Sequence, residues 1–191
     1  MTEKAKRCPW AESDPYSRAY HDERWCVPVH EDHELFAMLI LEGMQAGLSW
    51  QLILKREDGI RSLTNNLDPS VIAHYTQEDE ERLCQEPRMI RSKTKIHAMV
   101  TNAQAFLRVQ KEWGSFDAYI WHFTGREIID HRLVNPHDMP AKDALSEEIS
   151  KDLKQRGFRF VGPVIVYSYL QAIGVINDHL ISCPFHNPPV E

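Results

Sequence analysis

Cysteine is scarce in this sequence, with four in 191 residues, and no two of the four form a C-x-x-C pair. An ordinary zinc ribbon is thereby excluded. Positive charge is short as well: 22 Lys and Arg against 28 Asp and Glu leave a formal net charge of −6. Such a balance runs against nucleic-acid binding unless basic residues gather on one face, because displacing counterions from phosphates needs local positive potential. No apolar run is unbroken over a membrane-spanning length. Residues 35–54 and 160–176 come nearest, but glycines, glutamines, serines and, in the first, Glu42 interrupt them, which hydrocarbon would penalise. A basic start followed by an apolar stretch and a small-residue cleavage site is missing too, so a cytoplasmic protein without a membrane role is expected. Strand-like alternation is scarce.

What is present is helix signal. Asp14-Pro15 and Asp68-Pro69 each set a capping carboxylate before a proline suited to the first helical position, and Thr76-Gln77-Glu78-Asp79 reads as a capping box. Helices are expected near 15–25, 32–44, 49–57, 69–75, 77–85, 91–111, 115–123, 143–156 and 163–174, with an aperiodic loop over 125–140. The fold class is all-α. A chain that is 42% hydrophobic is large enough for one compact unit over 1–191, with room for two helical lobes. Basic residues cluster at Arg88, Arg91, Lys93 and Lys95, and again at Lys151, Lys154, Arg156 and Arg159. Either group reads equally as a solvated helix face or as a phosphate-facing one.

Residues 35–54 hold a single charged side chain, Glu42. Leu35, Met38, Leu39 and Glu42 fall at helical spacing, so the carboxyl shares a face with apolar neighbours. There it must be paired, hydrogen-bonded or open to a pocket. Aromatic residues concentrate in the same half: Trp10, Tyr16, Tyr20, Trp25 and Trp50. Most such clusters are core, yet two stacking faces and a carboxyl are also the means to grip a flat base.

Two of the cysteines have histidine companions. Cys8 precedes His21, and His179 and Cys183 stand four apart near the other end, a spacing that lets both reach one ion. One pair from each end would complete a closed Cys2His2 site, which stabilises rather than catalyses and suits zinc better than magnesium or calcium. By spacing alone Cys26, His30, His33 and His186 also qualify, and a Cys8–Cys183 disulfide or free buried thiols are the alternatives. Between them, residues 151–163 read as helix, glycine cap, tight hairpin and new helix. The N–H groups opening that second helix, at Val161 and Gly162, suit a phosphate, with Lys154, Arg156 and Arg159 beside them. A plain helix–helix turn reads the same way.

Taken together, Cys8-Pro9-Trp10, Asp14-Pro15, residues 19–28 (AYHDERWCVP), residues 41–50 (LEGMQAGLSW), residues 156–163 (RGFRFVGP) and residues 174–179 (GVINDH) closely resemble the DNA-3-methyladenine glycosylase I family over almost the whole chain. The resemblance implies a bacterial helix-hairpin-helix repair enzyme that releases 3-methyladenine from alkylated double-stranded DNA by monofunctional hydrolysis. By position the family's ligands for one structural zinc fall on Cys8, His21, His179 and Cys183, joining the N- and C-terminal segments. Its base-recognition residues fall on Tyr20, Glu42 and Trp50, with Trp10 and Trp25 nearby. Sandwiching between Tyr20 and Trp50 would favour a cationic base, and Glu42 would accept hydrogen bonds from its amino edge. Excision is expected from Glu42, the enzyme is expected to act as a monomer, and Lys154, Arg159, Val161 and Gly162 are expected on the DNA backbone. Asp178 lies about where the wider superfamily places an assisting aspartate, but it adjoins His179 and is expected to support rather than catalyse. No lysine occupies the place of a Schiff-base nucleophile. The chain departs from the family at Cys26 and Arg88, both usually glycine, and over 125–142. A hydrolytic zinc enzyme using Glu42 as base, and a non-enzymatic DNA-gripping module, are the rival readings.

Overall fold

The computed structural model describes residues 6–186 and is mostly helical. A 3-10 turn over Pro9–Ser13 leads into α1 (Pro15–Glu23), whose N-terminus is capped by Asp14, the side chain accepting from the Tyr16 and Ser17 N–H groups. Then follow α2 (Asp32–Gln45), α3 (Trp50–Leu63), α4 (Pro69–Ile72), α5 (Gln77–Gln85), α6 (Lys93–Trp113), α7 (Phe116–His122), α8 (Ala144–Gln155) and α9 (Pro163–Ala172). The anticipated caps are in place: Asp68 accepts from the Ser70 N–H, and Thr76 with Asp79 closes the capping box of α5. A second box at α8, Asp143 with Ser146, lies outside the Glu/Gln form sought in the sequence. Among the described residues no helix is long and apolar enough to cross a membrane.

Every residue of α2 from Leu35 to Met44 is buried, because α3, α6, α7 and α9 pack around it. That explains why its sequence is apolar on all sides. Its N-terminus is anchored by Asp32, which accepts from the backbone of Phe116 and Asp117 and from Gln110. Arg24, Glu57, Arg61 and Glu34 form a chain of ion pairs at 2.8–3.0 Å that ties the end of α1 to α3 and α2. These ties fix the three helices that carry Tyr20, Glu42 and Trp50.

Two expectations are corrected. Helix α3 runs to Leu63 rather than ending near 57, and Gly59 within its last turns marks a close approach: a Cβ there would lie 2.8 Å from that of Arg88. The aperiodic segment is not wholly loop, since β1 (Ile129–Asp130) pairs in parallel with β2 (Ile176–Asn177). Cys26 sits at a φ of 61°, the left-handed region that glycine enters freely, and its backbone N–H donates to the Gln171 carbonyl.

Candidate active site and metal centre

Cys8, His21, His179 and Cys183 come together, all four buried, with their donor atoms within 4.8 Å of one another. Cys183 Sγ lies 3.6 Å from both His21 Nε2 and His179 Nδ1, and Cys8 Sγ lies 3.8 Å from His179 Nδ1. Donors bound tetrahedrally at about 2.0–2.3 Å would stand roughly 3.3–3.8 Å apart, so the spacing matches a four-coordinate ion. The outer nitrogens are already engaged: His21 Nδ1 donates to Asp22 at 2.8 Å and His179 Nε2 to the Trp25 carbonyl at 3.2 Å. Each ring is therefore held with its lone pair aimed inward. Burial pushes the Cys8 thiol up to about 12 and holds His179 down at about 4, so both resist their charged forms without a cation. A divalent ion with two thiolates and two neutral imidazoles would bring the net charge of the cluster to zero. Cys26, His30, His33 and His186 are not part of it.

Beside the cluster lies a cavity of about 210 Å³ lined by Trp10, Tyr20, Trp25, Glu42, Gln45, Trp50, Met139, Ser168 and Gln171. Trp10 and Trp25 serve both places, since each also packs on the ring of His21 at 5.3 and 5.8 Å between centroids. Glu42 is 3% exposed, and burial alone raises its carboxyl to about 8. Its Oε2 and the Trp50 Nε1 are the two buried side-chain polar atoms without a partner among the described residues. Glu57 makes the contrast plain: burial pushes it upward too, but Arg24 and Arg61 hold it below the usual carboxylate range. The structure thus satisfies one buried glutamate and leaves the other facing an aromatic cavity. Buried polar atoms without partners are costly, which marks Glu42 and Trp50 as groups awaiting a ligand.

The two rings expected to sandwich a base are in contact with each other. Tyr20 and Trp50 meet edge to face, with centroids 5.2 Å apart and planes at 62°, the contact that bare rings prefer. No flat ring fits between them as they stand. Asp178 is not free for chemistry either: it is wholly buried and accepts from Tyr167, Gln171 and His131 at 2.6–2.7 Å.

The hairpin between α8 and α9 is clamped rather than loose. Asn102 bonds both the N–H and the carbonyl of Arg159, and Ser150 donates to the Val161 carbonyl. Helix α9 begins without a side-chain cap, and a Cβ added at Gly162 would meet nothing within 4 Å. Lys154 and Arg159 are exposed, whereas the Val161 side chain is buried and only its backbone is available. Arg156 is committed elsewhere, paired to Asp152 at 2.6 Å and Glu112 at 2.8 Å, so it does not join them as expected. Sequence reasoning missed Gln45, Met139, Ser168, Gln171 and Asn102. Only Gln45 carried a signal, one turn beyond Glu42 in the same apolar stretch.

The helical frame thus holds a partnerless carboxyl inside an aromatic slot and leaves the start of α9 without a side-chain cap, an arrangement suited to a flat base and a phosphate. The model of the methyladenine glycosylase family matches residues 10–187, and the chain belongs to that family. It is 39% identical over 178 residues to DNA-3-methyladenine glycosylase 1 of Escherichia coli K12, covering 93% of this chain and 95% of that protein. Among solved structures it is similar to a crystal structure of 3-methyladenine DNA glycosylase I at 40% identity and a TM-score of 0.91, covering 94% of this chain and 98% of the other. A tyrosine-to-phenylalanine variant of a 3-methyladenine DNA glycosylase I, solved in complex with 3-methyladenine, superimposes at a TM-score of 0.92 with 34% identity, over 96% of this chain and 98% of that one.

Proposed function

We propose that this protein releases 3-methyladenine from alkylated double-stranded DNA by hydrolysing the N-glycosidic bond, acting as a cytoplasmic monomer. The observation that carries this reading is Glu42, buried and unpaired in an aromatic cavity. A base inside the duplex is out of reach, so the nucleotide is flipped outward, at a cost of about a few kcal/mol that damage lowers. Methylation at N3 makes the base a cation and a good leaving group. The base lies against Trp50, with Tyr20 turning from its edge contact to close the other face, and the aromatic faces favour the positive ring. Glu42 is largely protonated at neutral pH in the free protein and ionises as the cation enters. It then accepts from the amino edge of the base. When the N9–C1′ bond breaks, its electron pair goes to the base, which leaves neutral, and water adds to C1′ with loss of a proton. No lysine lines the cavity among the described residues, so hydrolysis is the whole reaction.

Outside the cavity, the N–H groups opening α9 at Gly162, the Val161 backbone, Lys154 and Arg159 hold the DNA backbone in a helix-hairpin-helix arrangement. Cys8, His21, His179 and Cys183 would hold one zinc, which fastens the N-terminal segment to the C-terminal one and supplies folding stability alone, since four protein ligands leave no position for water. Chromatography of the bases freed from methylated duplex DNA tests the reading. Free 3-methyladenine and an uncleaved abasic strand are expected; DNA binding with no base released would leave only a gripping module.

A further inference from the structure

The Gln171 amide is held in one orientation at the cavity wall, and nothing in the mechanism above uses it. Gln171 is 6% exposed in the last turn of α9 and lines the cavity with Glu42 and Trp50. Its backbone carbonyl accepts the N–H groups of Cys26 at 2.9 Å and Gly174 at 3.2 Å. Its side-chain nitrogen donates to Asp178 Oδ2 at 2.7 Å and to the Met139 sulfur at 3.4 Å, which spends both amide hydrogens. Asp178 is itself fixed: Tyr167 donates to the same oxygen at 2.6 Å, and His131 Nδ1 lies 2.7 Å from the other. A carboxylate accepts and does not donate, so Asp178 dictates which end of the amide turns towards it. Oε1 is left over. It makes no hydrogen bond among the described residues, and the opening its side chain borders is the cavity.

We propose that Gln171 is a specificity-determining residue whose amide oxygen, oriented by Asp178, accepts a hydrogen bond from the 6-amino group of the flipped base. The assignment rests on the glycosylase reading. A 6-amino group has two hydrogens, one for Glu42 and one for Gln171. A 6-oxo purine of the same shape presents a lone pair to Oε1 instead, and an unpaired buried acceptor is penalised. Asp178 acts through Gln171 and is a positioning residue. This also gives residues 125–142 a task, since they deliver Met139 and His131 to the amide and the carboxylate.

The test measures release of 3-methyladenine and 3-methylguanine from one methylated duplex by wild type, Gln171→Met and Asp178→Asn. Wild-type release of 3-methyladenine tests the glycosylase reading; the ratio of the two bases relative to wild type tests this assignment. Gln171→Met keeps the length and removes the amide, so the preference for the 6-amino base falls about tenfold. Asp178→Asn can donate, which lets the Gln171 amide turn and present nitrogen to the base, and the ratio falls further. A readout without substitution is the Gln171 side-chain amide in NMR, whose hydrogens are expected to exchange slowly with solvent because both are bonded. An unchanged ratio in Gln171→Met, an equal loss for both bases, or amide hydrogens that exchange as fast as those of exposed glutamines would overturn the assignment. The Gln171 variant and the NMR readout decide the matter even if Asp178→Asn does not fold.

Discussion

The Cys2His2 cluster and the cavity share Trp10 and Trp25, yet they are finished to opposite standards. In the cluster every histidine nitrogen facing outward has an acceptor, and the four donors close on one point. In the cavity Glu42 Oε2 and Trp50 Nε1 have no partner among the described residues. A folded chain tolerates orphaned buried polar atoms only where something offsets their cost, and a ligand is the usual reason. The difference separates scaffold from chemistry within one small region. Saturation suits the structural role proposed for the cluster, and missing partners suit the binding role proposed for the cavity.

Removing a donor from the cluster should cost the most. Cys183→Ser is expected to lose its metal and at least about 5 kcal/mol of stability, because structural zinc contributes about 10–16 kcal/mol in small zinc-folded peptides. Elemental analysis with thermal melting checks this, and full metal retention would place the ligands elsewhere. On the other side of the shared wall, Trp50→Ala should keep the metal and lower base release about a hundredfold through lost stacking, which single-turnover kinetics would read. Wild-type rates would mean that the cavity is not the site.

The pH dependence sharpens the comparison. Glu42 is raised to about 8 in the folded protein against an ordinary value of 4.5, so the native state binds the extra proton between those values. Stability from this group is present below about 4.5 and is lost as pH rises through about 8. Glu42→Gln avoids that loss and should melt a few degrees above wild type at pH 8, with the gap shrinking towards pH 5. A gap that does not change with pH would show Glu42 to be paired. The smallest effect is expected outside both regions: Arg159→Ala should reduce the salt slope of DNA binding by about one phosphate contact without changing which base is released. A variant with an unaltered slope would remove Arg159 from the DNA surface.

Local rules made most of the frame readable in advance. Asp14, Asp68 and Thr76 cap as their dipeptides and capping box suggest, and α2 is buried on all sides because Glu42 is its only charge between 35 and 54. Cys8, His21, His179 and Cys183 were marked by residue type and end-to-end pairing, and their positions meet in space. What escaped was long-range. Gln171 and Asn102 look like ordinary polar helix residues until Asp178 and the hairpin are set against them. Arg156 looked like a phosphate ligand because its partner Glu112 lies 44 residues away. Helix α3 continues past 57 through Gly59, where Arg88 approaches from a segment far along the chain. The ring angle between Tyr20 and Trp50 depends on two separate helices, and neither sequence segment encodes it alone.

On the proposed reading the unpartnered carboxyl performs the excision, while the Cys2His2 cluster only holds the wall of its cavity. Release of free 3-methyladenine by Glu42→Gln, measured on folded protein carrying its full metal content, tests this most directly. Intact metal and melting are expected, with release lowered at least about a hundredfold. Release near the wild-type rate from that protein would contradict it.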